Sequence, residues 1–115
     1  MRIYEYKATK EIRFERRGAA FHAAILRAIA NPTRLQILES LLKGTRCVRD
    51  LSKSLGILQP NISQHLAELK SKGLVYSRRK GVERCYELTK PAHIRNLFQL
   101  MSHMGTLSES RAKAK

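Results

Sequence analysis

The chain has two cysteines, Cys47 and Cys85. Cys47 lies in "TRCVRDL", flanked by Arg46 and Arg49 and just ahead of a helical stretch. Cationic neighbours and a helix N-terminus both favour the thiolate, which is the form that reacts with oxidants, persulfides and metalloids. If the segment carrying Cys47 pairs with the strand carrying Cys85, the two thiols approach each other. A bridge then requires Cα atoms within about 7 Å. The alternative is that both are small, partly buried apolar residues.

A second set of residues has a different chemistry. "ILQPNISQHLAELKSKGLVYSRRKG" runs from Ile57 to Gly81. On a helix turning about 100° per residue, Ile62, Leu66 and Leu69 share one side. Pro60, Gln64 and Ala67 lie opposite, Asn61 and Ser63 flank them, and His65 falls at the edge of the apolar side. The exposed N-terminal half, with Gln59, is polar and uncharged. Asn and Gln can pair two-pronged with adenine in a major groove, and Ser can serve a base or a phosphate. Arg78, Arg79 and Lys80 then gather at a hairpin tip, with Arg84 on the return strand. Such charges neutralise phosphates and add affinity without sequence information. His65 has two expected uses, a contact to DNA or a hydrogen bond within its own domain.

These residues need a scaffold, and 115 residues amount to one domain. Hydrophobic residues make up 43%, enough for a modest core that dimerisation would enlarge. Lys and Arg number 23 against 9 Asp and Glu, a net charge of +14, so an anionic partner is expected, nucleic acid before a membrane surface. No apolar run approaches the roughly 18 residues of a membrane span. The first residues lack the apolar stretch of a signal peptide, so a cytoplasmic location is expected. No Ser–His–Asp grouping, Gly-rich phosphate loop or clustered carboxylates suggests an enzyme.

Periodicity supplies the elements. Phe21, Ile25, Ala28 and Ile29 mark one helix face from about Gly18. Asn31 is a good N-cap, Pro32 suits the first turn, and Leu35, Leu38, Leu41 and Leu42 follow until Gly44. Short helices are expected over Val48 to Leu55, ending at Gly56, and over Gln59 to Lys72, ending at Gly73. Leu74 to Arg79 and Val82 to Leu88 read as strands turning at Lys80-Gly81. A last helix starts near Pro91, with Ile94, Leu97, Phe98 and Met101 in its stripe and Leu100 and Met104 widening it. Residues 1–16 are expected as a basic N-terminal segment, an ordered arm or a frayed end, 17–105 as the folded domain, and 106–115 as a polar, mobile tail.

"NPTRLQIL", "QPNISQHLAELKSKGLV" and "CYEL" together resemble the ArsR/SmtB family of winged-helix repressors, over roughly Ala28 to Leu88. The resemblance implies a mainly α winged helix–turn–helix of about five helices with a small β-hairpin wing. It implies a homodimer paired through the first and last helices, bound to an imperfect inverted repeat in a prokaryotic cytoplasm until an inducer arrives. It carries over Ser63, Gln64 and His65 as base- or backbone-contacting residues, and Arg79 and Lys80 as wing contacts. In the dimer, Leu97, Leu100, Met101 and Met104 are the expected pairing residues.

The sensing site departs from the family pattern. Members often carry "ELCVCDL", whose two thiolates grip arsenite or a soft metal. Here Cys47 matches the first and Arg49 replaces the second, while a soft ion wants at least two such ligands. A second family site binds zinc through Asp and His residues across the paired last helices. His93 and His103 are present, but Pro91 stands two residues before His93, and the two histidines are about 80° apart on a helix. Cys47, His93 and His103 are therefore weak metal candidates, and a metal or metalloid is a secondary expectation. The favoured reading is a repressor released by a redox, persulfide or metalloid signal at Cys47, with or without Cys85. Its competitors are a family repressor without a switch, a basic module that coats nucleic acid without sequence choice, and a protein adaptor that no longer touches DNA.

Overall fold

The computed structural model describes residues 18–114. The arm expected over 1–16 lies outside the described residues. The elements run α1 (Gly18–Ile29), α2 (Pro32–Leu42), β1 (Arg46–Cys47), α3 (Val48–Leu55), α4 (Gln59–Ser71), β2 (Val75–Lys80), β3 (Glu83–Leu88) and α5 (Pro91–Ala114).

Local chemistry sets the boundaries. The Asn31 side chain accepts from the Arg34 amide at 3.0 Å and caps α2, while Pro32 occupies the first turn, where its missing N–H costs nothing. α3 ends because Gly56 takes φ 69°, a left-handed cap that returns its N–H to the Ser52 carbonyl at 2.9 Å. The Ser52 hydroxyl donates to the Ile57 carbonyl, so one serine ties down both sides of the turn between α3 and α4. Pro60 falls in the first turn of α4. At the other end Gly73, at φ 75°, lets the chain reverse so that the Leu74 N–H returns to Leu69.

The three strands form an antiparallel sheet in the order β1-β3-β2. The hairpin pairs Lys80 with Glu83, so its loop is Gly81-Val82, one residue later than the expected Lys80-Gly81. The shift has a local reason: Gly81, at φ 63°, opens the loop, and Lys80 stays in the ladder. α5 runs on to Ala114, past Thr106 where the polar tail was expected to begin, through a stretch free of proline and glycine.

One apolar core joins the elements. Ile37, Leu38 and Leu41 of α2, Leu51 of α3, and Ile62, Leu66 and Leu69 of α4 meet Val75, Tyr86 and Leu88 of the sheet, with Ile29 and Ile94 closing the sides. The helical stripes therefore pack as their spacing requires. Two stripes are only partly covered. On α1, Ala28 and Ile29 are buried while Phe21 and Leu26 are exposed. On α5, Ile94 is buried and Leu97 and Phe98 lean on the core, while Leu100, Met101 and Met104 stay exposed.

Leu66 is fully enclosed where α4 meets the rest of the core. Leu66→Ala is expected to lower stability by about 2–5 kcal/mol, read as a shifted urea midpoint. A loss below about 1 kcal/mol would mean that α4 is not anchored through this core.

Candidate nucleic-acid interface

α4 buries Ile62, Leu66 and Leu69 and leaves Gln59, Asn61, Ser63 and Gln64 exposed. His65 differs from its neighbours. It is half-buried, and its Nδ1 accepts from the Arg34 Nε at 3.1 Å. Burial first, then the adjacent Arg34 guanidinium, pushes the His65 imidazole below its ordinary pKa of 6.5. The ring is thus kept neutral so that it can accept. The same guanidinium donates from Nη1 to the Ala28 carbonyl at 2.9 Å. Arg34 therefore links the end of α1, the start of α2 and the middle of α4. Of the two uses expected for His65, the structure provides the internal hydrogen bond.

The wing splits its charge. Successive strand residues point to opposite faces. Tyr76, Arg78 and Lys80 share a face with Glu83, Cys85 and Glu87; Val75, Ser77 and Arg79 share the other with Arg84, Tyr86 and Leu88. The second face is the one that enters the core, through Val75, Tyr86 and Leu88. Toward the tip the same face presents Arg79 and Arg84 as a directly opposed pair. A groove of about 360 Å³ lies here, lined by Val48, Arg49, Gln59, Ser63, Val82, Glu83, Arg84 and Tyr86. The first turns of α4 and the wing thus converge on one cleft.

Arg78 lies on the opposite face from Arg79. Its guanidinium donates to Glu87, which also accepts from the Thr45 hydroxyl at 2.7 Å and from the Tyr76 hydroxyl. Those three donors, Tyr76 foremost, then Thr45 and Arg78, lower the Glu87 carboxyl from 4.5 to about 2. Arg84 and Arg49 are the cations that sequence reasoning undervalued at the groove. The signal was available in strand alternation, which puts Arg84 on the face of Tyr86 and Leu88 once the strand bounds are set.

The thiols meet as one expectation required. β1 pairs with β3, Cys47 faces Cys85 directly, and the two are joined as a disulfide with Cα atoms 3.7 Å apart. Cys85 is buried and Cys47 half-buried. The Cys47 N–H lies 3.4 Å from the Asp50 carboxylate at the head of α3. Glu83, two residues before Cys85 and on the same strand face, is ion-paired with Arg49 at 3.1 Å. Among the described residues, Cys47, Glu83 and Cys85 are a group that could hold a metal ion once the two thiols are reduced, with candidate ligand atoms within 4.8 Å of one another. His93 and His103 are exposed on α5 and outside this group. No helix among the described residues is long and apolar enough to cross a membrane.

A three-helix unit with a helix–turn–helix at α3–α4 and a flanking β-hairpin defines the winged helix–turn–helix class. A family model described as "Bacterial regulatory protein, arsR family" matches residues 31–77. The SmtB transcriptional repressor of Mycobacterium tuberculosis is 40% identical over 83 residues, which are 70% of this chain and 60% of that protein. The structure of HlyU from Vibrio cholerae superposes with a TM-score of 0.67 at 38% identity, covering 76% of this chain and 97% of that one. A homodimeric winged helix-turn-helix DNA-binding domain from Mycobacterium bovis superposes with a TM-score of 0.69 at 33% identity, covering 80% of this chain and 84% of that one. The chain belongs to the ArsR family of bacterial regulatory proteins. It spans about 60% of the length of its SmtB relative.

The Glu87 network carries a pH signature. Because folding lowers this carboxyl from 4.5 to about 2, its contribution is complete above pH 4.5 and is lost as pH falls toward 2. Replacing Glu87 with Gln is expected to flatten that part of the stability profile, measured as urea midpoint against pH. An unchanged acid slope would show that Glu87 is not held by these donors.

Proposed function

We infer that the chain acts as a homodimeric, sequence-specific DNA-binding repressor whose affinity is switched by the Cys47–Cys85 pair. The observation that carries the first half is the convergence of Gln59, Ser63 and Arg84 on one cleft, beside the exposed Asn61 and Gln64, with Arg79 opposed to Arg84 on the same wing face. In this reading the N-terminal half of α4 enters a major groove, where Ser63 and Gln64 read base edges, and the wing cations hold flanking phosphates. Arg79 and Arg84 take the inner side of the wing, Lys80 the outer side. His65 holds α4 to Arg34 and orients it.

The exposed apolar residues of α1 and α5, namely Phe21, Leu26, Leu100, Met101 and Met104, support pairing with a second copy. The homodimeric state of the Mycobacterium bovis domain supports self-association of this chain. Two α4 helices related by a two-fold axis read an inverted repeat, with half-sites about one helical turn apart or a multiple of it.

The thiol pair suits a switch because it joins the head of α3 to the central wing strand. A disulfide there restrains the wing against the helix–turn–helix, and its reduction frees the two to adjust. In a reducing compartment such a bond is transient and signal-bearing. Two electrons leave the thiols on oxidation, and a hydroperoxide inducer takes them up.

Operator selection from genomic fragments at about 150 mM salt is expected to return defined inverted repeats, whereas non-specific coating would be largely lost at that salt. Ser63→Ala or Gln64→Ala is expected to weaken the selected site by about 1–3 kcal/mol with loss of selectivity. Arg79→Ala should lower affinity across sequences and reduce the salt slope by about 1. Full operator affinity in the Ser63→Ala, Gln64→Ala double variant would favour an adaptor role. Peroxide should release the wild-type chain from the operator and leave Cys47→Ser bound; equal release of both would remove the thiol pair from the switch.

A further inference from the structure

We propose that the reduced Cys47 and Cys85 thiolates, with the Glu83 carboxylate, form a site for one thiophilic divalent cation of the zinc class. The three ligand atoms already lie within 4.8 Å of one another. A tetrahedral zinc ion with Zn–S near 2.3 Å and Zn–O near 2.0 Å spaces its ligands roughly 3.5–3.8 Å apart, so rotamer adjustment after reduction is enough. The backbone is preset: Cys47 and Cys85 are opposed across β1 and β3, and Glu83 is on the same face of β3. Two thiolates with one carboxylate suit a borderline-soft ion and not calcium or magnesium.

The site differs from both metal patterns that the family resemblance implies. One needs a second thiol where this chain has Arg49, and the other uses the last helix. Arg49 takes a different part here, as the ion-pair partner that holds Glu83. Its side chain is 61% exposed, so it can swing into solvent and release the carboxylate. An exposed pair of this kind is weak, and a metal ion easily displaces it. Arg49 thus competes with the cation for Glu83.

The site deepens the thiol reading, since the same pair alternates between two states. The bound cation shields the thiolates. On oxidation by hydrogen peroxide, the two thiolates lose two electrons and form the S–S bond. The peroxide takes these electrons with two protons and becomes two waters. The cation leaves with its charge unchanged, because the disulfide is no longer a competent ligand. The inference rests on the thiol reading only in needing the pair to be reducible.

The full chain, reduced with a phosphine under anaerobic conditions, can be titrated with Co²⁺ and then with Zn²⁺ against a chromogenic chelator. One ion per chain is expected, with a thiolate-to-cobalt charge-transfer band and tetrahedral d–d bands. Cys47→Ser should lose most of the charge-transfer band. Glu83→Gln should keep it and bind about tenfold more weakly or worse. Arg49→Ala should bind more tightly. Zn²⁺ protection of the half-buried Cys47 thiol of the wild-type chain from alkylation, against the metal-free reduced chain and read by mass spectrometry, serves as a test without a substitution. No band and no protection in a reduced chain that circular dichroism shows to be folded would overturn the site. So would unchanged binding in Cys47→Ser, or binding that Arg49→Ala weakens. Cation binding with operator affinity indifferent to oxidant would sink the switch and leave this site standing; peroxide-sensitive affinity without cation binding would do the reverse.

Discussion

β3 is the strand on which the molecule depends. It lies between β1 and β2, so it is the one strand with partners on both edges. Its period of two then divides its residues between two environments. Tyr86 and Leu88 enter the core, and Arg84 extends that face toward α4. Glu83, Cys85 and Glu87 occupy the other face, where each meets a different element. Glu83 reaches Arg49 of α3, Cys85 reaches Cys47 of β1, and Glu87 gathers Thr45, Tyr76 and Arg78. A slip of one residue would bury the charges and expose the core residues, so the register is strongly specified.

The helical half has its own fastening in Arg34. One planar guanidinium donates to the Ala28 carbonyl and to His65, and its backbone amide is the one that Asn31 caps. The fork geometry of arginine lets it join three segments, which a lysine ammonium would do less specifically. The consequence for recognition is direct. α4 is pinned at His65, the residue immediately after Gln64, so the polar residues of its first turns are presented from a rigid base.

The wing shows how a basic cluster can hold residues with different duties. Arg78, Arg79 and Lys80 are consecutive, yet alternation sends Arg79 to the groove side and Arg78 to Glu87. Arg78 braces the hairpin, while Arg84 lines the groove beside α4 and Arg79 lies opposite it on the same strand face. Arg49 bridges the two halves, since it lines the same groove and holds Glu83. The thiol pair and the candidate nucleic-acid face are therefore adjacent, sharing β3 and the head of α3.

Much of this was determined by the sequence itself. Helix spacing, the Asn31 cap, and the glycines at 56 and 73 set α2, α3 and α4 nearly to the residue, because these signals are local. The inner side of α4 followed from angle alone, as did the polar residues left outside. The C-terminal boundary did not follow, because a polar stretch of good helix formers carries no stop signal. Only the tertiary structure decided three further matters. It opposed Cys47 to Cys85, which are 38 residues apart, through a two-residue strand too short to announce itself. It gave His65 to Arg34 across 31 residues. And it assigned Arg78 to Glu87. Each of these depends on which strand edge or helix face is brought alongside, and that is set by burying one common core, not by any local run of residues.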